Sequence, residues 1–196
     1  MAKKWKYGIG LFIIIIVVGI MVAFWLFVMG GFPKRIRNVE EYRKWDEYSI
    51  RSGLSIFPEI LDKGIETDYF LYYRDNMFNA TCEIYLKVAY NKVDYEEECF
   101  RLKNIQNCYQ EEVQTIRYDE VRFNYPCYTA VFETGSYEYA LLDEENNEII
   151  YVYLQALTNP KISKKYLPLN YTNELKDYSS NYNIYSFDGY LVYPEE

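Results

Sequence analysis

The sequence predicts an α+β protein: one N-terminal transmembrane helix, then a mainly antiparallel sheet with a helix packed on one face. A long uncharged run opens the chain, and beyond it several short stretches alternate apolar and polar residues with a period of two. One stretch between them carries apolar residues at helical spacing instead. Short strands around a single central helix are typical of the α+β class.

The uncharged run extends from Gly8 to Phe32, which is 25 residues without a charge or a Ser, Thr, Asn or Gln. At a rise of about 1.5 Å per residue, such a helix crosses a hydrocarbon core of roughly 30 Å. Residues 1–7 form a basic leader, and residues 8–32 the transmembrane helix. A cleaved signal peptide would have a shorter apolar core and a small-residue cleavage site, so we expect an uncleaved signal-anchor.

The orientation in the membrane is less constrained by the sequence. Three leader lysines stand against Lys34, Arg35 and Arg37 on the far side of the run, so the positive-inside rule gives almost a tie. That rule weakens for long translocated domains, and a seven-residue leader is an uncommon segment to export. We therefore expect a single-pass protein of the cytoplasmic membrane with its large domain outside, and the opposite orientation stays open.

Beyond the helix we expect a stalk and first helix over residues 33–53 and one soluble domain over residues 54–196. The part from Lys34 onward has 163 residues, enough for one core. It holds 18 basic and 29 acidic residues, a net charge of −11. Such a charge disfavours nucleic acid and anionic lipid as partners and suits solubility or a cationic partner.

Capping residues and periodicity predict the elements of this domain. Asn38 is expected to cap a helix from Val39 to about Ser49, and Asp94 a second one from Tyr95 to about Asn104. An Asp-Gly pair between apolar runs predicts a hairpin inside the Tyr/Asn-rich C-terminal segment. Strands are predicted at Asp68–Arg74, Cys82–Tyr90, Val113–Tyr118, Cys127–Thr134, Tyr137–Leu142 and Glu148–Leu154.

The strand Cys82–Tyr90 alternates cleanly, which predicts one buried and one exposed face. The last two strands are expected to form a hairpin closed at Glu145–Glu148, with Leu141 opposite Val152. Both faces of that hairpin are apolar or tyrosyl, whereas an ordinary one-sided sheet is polar on one face. We therefore expect the N-terminal helix, the C-terminal tail or a ligand to cover the second face.

The four cysteines allow three disulfide pairings, and an extracellular domain permits bridges. The alternative is that they are free and buried as small hydrophobic residues. Their separations of 17, 9 and 19 residues do not suit a zinc site, and the chain has no His to activate a thiol. No cofactor or metal is expected. The candidate disulfide residues are Cys82, Cys99, Cys108 and Cys127.

Tyrosine is unusually common, with 24 in the chain. It pairs a flat apolar ring with a polar tip, which suits sugar, peptide and protein surfaces. The alternative is that tyrosine fills core positions that Leu and Phe fill elsewhere. The candidate binding surface consists of Tyr69, Tyr72, Tyr73, Tyr85, Tyr151 and Tyr153.

Three stretches carry a resemblance: Ser55–Glu59, the strand and helix of Cys82–Ile105, and Tyr139–Gln155. With the basic leader, the single span and the acidic domain, the chain resembles uncharacterised single-pass envelope proteins of low-GC Gram-positive bacteria. The resemblance covers about half of the chain. That group has no assigned activity, so the resemblance implies no site residues.

Taken together, these patterns favour a membrane-anchored, extracytoplasmic and non-enzymatic domain that binds a protein, peptide or glycan. No nucleotide-binding loop and no nucleophile elbow occurs in the sequence. The first alternative is an envelope hydrolase that uses a pair of carboxylates, for which 29 acidic residues offer many candidates. The second is an accessory subunit held in a membrane complex through its helix, where Gly19 and Ala23 could seat a neighbouring helix.

Overall fold

A computed structural model of the 196-residue chain describes residues 2–28, 30–48, 50, 54–59, 61, 64–75, 80–108, 114–120, 123–132, 136–156 and 160–167. An N-terminal helix is followed by a seven-stranded antiparallel sheet and a second helix. This confirms the predicted α+β class. The C-terminal hairpin predicted within the Tyr/Asn-rich segment lies outside the described residues.

The N-terminal helix α1 extends over Ala2–Val28. Within the described part of the chain, its segment Gly8–Val28 is the one helix long and apolar enough to cross a membrane, and none of it is buried. The helix ends in two glycines with positive φ, Gly30 at 67° and Gly31 at 77°. Their N–H groups donate to the carbonyls of Phe27 and Leu26 at 3.2 and 2.8 Å, the Schellman pattern that closes a helix.

The sheet contains seven strands in the order β1-β2-β3-β7-β6-β5-β4, and every neighbouring pair is antiparallel. Strands β1 to β3 form one meander, and strands β4 to β7 form a second. The helix α2, Lys92–Cys108, connects the meanders, and β3 pairs with β7 at the centre. The strands are β1 (Lys34–Ile36), β2 (Gly64–Arg74), β3 (Thr81–Tyr90), β4 (Gln114–Asp119), β5 (Cys127–Phe132), β6 (Ser136–Asp143) and β7 (Glu148–Gln155).

The first strand lies where a stalk was expected. Lys34–Ile36 pairs with β2, with Arg35 opposite Tyr72, so the chain enters the sheet directly after the helix turn. The segment Val39–Glu47 that follows is a 3₁₀ helix, and the Asn38 side chain caps it by accepting from the Glu40 N–H at 3.1 Å. The capping prediction for Asn38 is therefore correct, although the helix is of the tighter type.

One face of the sheet, called here the helix face, is covered by α2, the 3₁₀ helix and the loop 54–57. Tyr95 and Leu102 of α2 are buried there, as their helical spacing predicts. Helix α2 begins three residues earlier than expected because Asn91, and not Asp94, is its cap. The Asp94 N–H donates to Asn91 Oδ1 at 3.0 Å, and the Asn91 amide donates to the Asp94 carboxylate.

The opposite face, called here the strap face, is covered by residues 123–126 and by the segment 160–167, called the strap. Phe123 and Leu167 are buried against Tyr139 and Val152, with Tyr166 partly buried beside them. Three covers were expected for the second face, the N-terminal helix, the C-terminal tail or a ligand, and among the described residues the strap, part of the tail, lies there. The prediction that β3 is half-buried is wrong, because Glu83 and Tyr85 on its second face are also buried.

The β6–β7 hairpin is paired two residues away from the predicted register. Leu141 lies opposite Ile150, and Asp143 opposite Glu148, so that the turn is the four-residue stretch 144–147. The Asp143 carboxylate stabilises the longer turn by accepting from the N–H and the amide of Asn146, at 3.3 and 2.9 Å. Asn147 takes the left-handed conformation at φ 52°. A shift of two residues leaves each side chain on its predicted face.

Candidate functional site

The six tyrosines of the expected binding surface are all buried, with exposed fractions of 9% or less. They also divide between the two faces of the sheet. Tyr72 and Tyr85 belong to the core on the strap face. The others lie on the helix face: Tyr69, Tyr73, Tyr151 and Tyr153. They therefore do not form one exposed surface, and they hold core positions, as the alternative proposed.

A partly buried polar cluster lies between α2 and the sheet. The Tyr151 hydroxyl donates to Glu98 Oε1 at 2.6 Å and lies 3.4 Å from the Tyr90 hydroxyl. The Arg101 guanidinium donates to both oxygens of Glu98, one turn earlier on α2. Burial raises the pKa of Tyr151 well above its ordinary value, so this hydroxyl stays protonated and keeps its role as a donor.

The loop 54–57 is held onto this cluster by a second carboxylate, Glu138 on β6. Glu138 is fully buried and accepts from the Ile56 N–H at 2.8 Å. Arg101 donates to the Ile56 carbonyl at 2.7 Å, so the loop is bound through both polar atoms of one peptide residue. Leu54 has a positive φ of 51°, a conformation that turns its N–H toward the same carboxylate.

Burial dominates the chemistry of Glu138. Loss of hydration raises its pKa from 4.5 to about 8, although the N–H groups of Ile56, Ser55 and Leu54 and the charge of Arg101 act in the opposite direction. Near neutral pH the Glu138 carboxyl group is therefore largely protonated, and its oxygens face the backbone of the loop 54–57. It can hold the loop in place, and the loop covers it from solvent.

On the strap face, Glu83 of β3 plays a matching role. Its carboxylate accepts from the N–H groups of Ile162 and Ser163, both at 2.8 Å, and from the Ser163 hydroxyl at 2.7 Å. The Lys161 N–H donates to the other oxygen. Four donors from three consecutive residues converge on one buried carboxylate, so Glu83 fastens the strap to the sheet.

Stacked aromatic rings extend this attachment. The rings of Tyr85 and Tyr166 lie 5.7 Å apart and nearly parallel, and their hydroxyl oxygens are 3.1 Å apart. The Lys165 ammonium lies 4.4 Å from the centre of the Tyr166 ring. Burial and the hydrogen bond with Tyr166 raise the pKa of Tyr85, which keeps the Tyr85 hydroxyl protonated at physiological pH.

The described cysteines are free thiols. Cys82 lies on the helix face and Cys127 on the strap face, so the sheet separates them, and Cys99 is half-buried on α2. Burial raises the pKa of Cys82 and of Cys127, which keeps them as unreactive thiols. The side chain of Cys108 lies outside the described residues. Among those described, no group of three or more acidic or Cys residues could hold a metal ion.

The fold and these contacts define an α+β domain that begins next to an N-terminal helix able to cross a membrane. The chain was compared with protein-family models, curated proteins and solved structures, and none of the three comparisons gave a match. The resemblance to envelope proteins of low-GC Gram-positive bacteria therefore stays a prediction.

Glu83 and Glu138 are not among the site residues predicted from the sequence. Each is a carboxylate inside a strand, and its immediate neighbours on both sides are apolar or tyrosyl. In such a strand a carboxylate has no solvent-facing position, so it must meet donors from a covering segment. In β6 the position of Glu138 could have been predicted, because both faces of that strand are apolar or tyrosyl in the sequence.

The attachment of the strap by Glu83 can be tested by a Glu83→Gln substitution. The amide places an N–H₂ group among four donors, so we expect a loss of about 1–3 kcal/mol of stability and a strap that leaves the sheet more often. Trypsin should then cut after the exposed Lys161, Lys164 and Lys165 several-fold faster than in the wild type. Glu66→Gln, an exposed acid on β2, is the matched control. Equal cleavage of Glu83→Gln and wild type would show that Glu83 does not hold the strap.

The raised pKa of Glu138 predicts a pH-dependent stability. Between 4.5 and about 8 the folded protein keeps a proton that the unfolded chain loses. The contribution of Glu138 is therefore complete below the unfolded pKa and falls as pH rises toward 8, by at most about 1.4 kcal/mol per pH unit. In Glu138→Gln this slope should vanish. Thermal unfolding of the full-length protein in detergent, from acid to pH 8, measures it, and parallel curves for the two proteins would contradict it.

Proposed function

We propose that the protein is a membrane-anchored, non-enzymatic interaction domain that α1 holds outside the cytoplasmic membrane. The observation that carries the proposal is that two buried glutamates bind only segments of this chain among the described residues. Glu83 and Glu138 are each enclosed by donors of their own chain, which hold the strap and the loop 54–57. Carboxylates occupied in this way suit a rigid scaffold, since their oxygens face no substrate.

The same contacts weigh against the alternative of a carboxylate-based hydrolase. Glycoside hydrolysis needs two carboxyl groups facing each other across a cleft, about 5–10 Å apart. Glu83 points to the strap face, whereas Glu138 points to the helix face, so the sheet lies between them. Glu98 is on the same side as Glu138, but its two oxygens are bound by Arg101 and Tyr151.

We place the contact surface on the outer side of α2. Val93 and Phe100 are 64% and 65% exposed, and their separation of seven residues puts them on the same side of the helix. The exposed acids Glu96 and Glu97 lie between them. Exposed apolar side chains flanked by carboxylates fit a protein segment that carries both apolar and basic residues, and the net negative charge of the domain would attract such a partner.

The orientation is tested by labelling cysteines from outside the cell. Glu145→Cys places a thiol at the exposed β6–β7 turn, and Lys4→Cys places one in the leader. A membrane-impermeant maleimide should label Glu145→Cys in intact cells, and Lys4→Cys only after lysis, with the wild type as the blank. The reverse pattern would put the domain in the cytoplasm and overturn the proposed localisation.

The contact surface is tested by a photo-crosslinking amino acid introduced at Phe100 in cells. We expect one discrete cross-linked protein, lost in Glu96→Lys with Glu97→Lys because the basic partner is then repelled. The same crosslinker at Glu66 on β2 is the matched control and should give no such product. A product that persists after both charge reversals, or that also forms at Glu66, would contradict this surface.

A further inference from the structure

The distance between α1 and the sheet is set by a very short connection. The helix turn closes at Gly31, and β1 begins at Lys34. Three residues span about 10 Å at most, even when fully extended. The polar headgroup layer on each side of a bilayer is roughly 5–8 Å thick. If Gly8–Val28 crosses the membrane, the β1 edge of the sheet therefore begins at the headgroups, whatever the tilt of the helix.

The side chains at this edge suit a lipid surface. Phe32 is 84% exposed, and Lys34, Arg35 and Arg37 are exposed beside it. We call these four residues the membrane-proximal edge. An aromatic ring at the end of a span is typical of the membrane–water interface, and basic side chains there meet lipid phosphates.

The cations of this edge are positioned by aromatic rings. The Lys34 ammonium lies 4.9 Å from the centre of the Tyr48 ring, and the Arg37 guanidinium 5.1 Å from that of Phe70. Tyr48 packs on the helix face and Phe70 on the strap face, so one cation stands on each side of β1. Within the described residues none of the three cations forms an ion pair with an acid.

The rest of the chain has the opposite net charge. All 29 acidic residues follow it, together with 15 other basic residues. The nearest acids in sequence are the exposed Glu40 and the partly buried Glu41 on the 3₁₀ helix, and Glu41 is paired with Lys44 at 2.6 Å. An anionic surface therefore attracts this edge, whereas the chain beyond it, with a net charge of −14, is repelled on average.

We propose that the membrane-proximal edge docks on anionic lipid headgroups, with Phe32 in the interface and the three cations on lipid phosphates. The sheet is then oriented with its edge strand β1 next to the membrane and its other edge strand, β4, farthest from it. Six strand spacings of about 4.8 Å separate these edges, which is roughly 29 Å. The outer side of α2, which packs toward β4, is thereby held clear of the headgroups. This docking requires that α1 spans the membrane, but it does not depend on the protein partner proposed above for α2.

Hydrogen exchange of the full-length protein in lipid nanodiscs tests the docking. One set of discs is phosphatidylcholine alone, and the other contains about 30% phosphatidylglycerol. The amides of residues 34–38 should exchange several-fold more slowly in the anionic discs, and roughly 0.5 M NaCl should remove the difference because it screens the cations. Equal exchange in the two kinds of disc would overturn the proposal.

Two sets of substitutions separate docking from general attraction. Lys34→Gln with Arg35→Gln should bring the exchange in anionic discs to the level of the zwitterionic discs. Lys103→Gln removes an exposed cation from α2 and should leave the protection unchanged. If Lys103→Gln has the same effect as the edge substitutions, the attraction is not located at β1. Cross-linking at Phe100 is a separate measurement, so loss of the partner and loss of the docking are distinguished.

Discussion

The pairing of β3 with β7 is the interaction on which the rest of this domain depends. Eight residue pairs, from Cys82 opposite Gln155 to Ala89 opposite Glu148, join the two meanders into one sheet. Helix α2 follows β3 and precedes β4 along the chain. Because the joined sheet is seven strands wide, it supports a separate core on each face. A slip of one residue in this pairing would turn Tyr85 and Tyr151 to the wrong faces and disturb both cores.

A sheet that is covered on both faces must accommodate its polar atoms, and this chain does so in the same way on each side. Tyrosine supplies large apolar rings whose hydroxyl groups meet partners at the margins, as Tyr151 does with Glu98 and Tyr85 with Tyr166. One glutamate per face then binds the backbone of a covering segment. Glu138 holds the loop 54–57, and Glu83 holds the strap. Two-sided burial thus gives a use for the tyrosines of the described sheet.

Local patterns were enough to predict the class of fold, the buried side of α2, the hairpin of β6 and β7 and a cover over the second face. The period of two also implies that adjacent residues such as Tyr72 and Tyr73 point to opposite faces, so the six tyrosines could not form one surface. The strand Lys34–Ile36 is too short to show alternation. The roles of Glu83 and Glu138 depend on contacts with residues about 80 positions away, which no local pattern carries.

The strand order has a consequence for how the protein is made. The span and β1 to β3 are synthesised first, whereas β7, the partner of β3, follows some sixty residues later, after α2 and a whole second meander. If α1 spans the membrane, the growing chain is held at the bilayer during that interval, with one long edge of β3 unpaired. An open edge on a crowded surface invites pairing with a neighbouring nascent chain. Packing of α2 during this interval would cover the helix face of the first meander, whereas the edge of β3 stays open until β7 pairs with it.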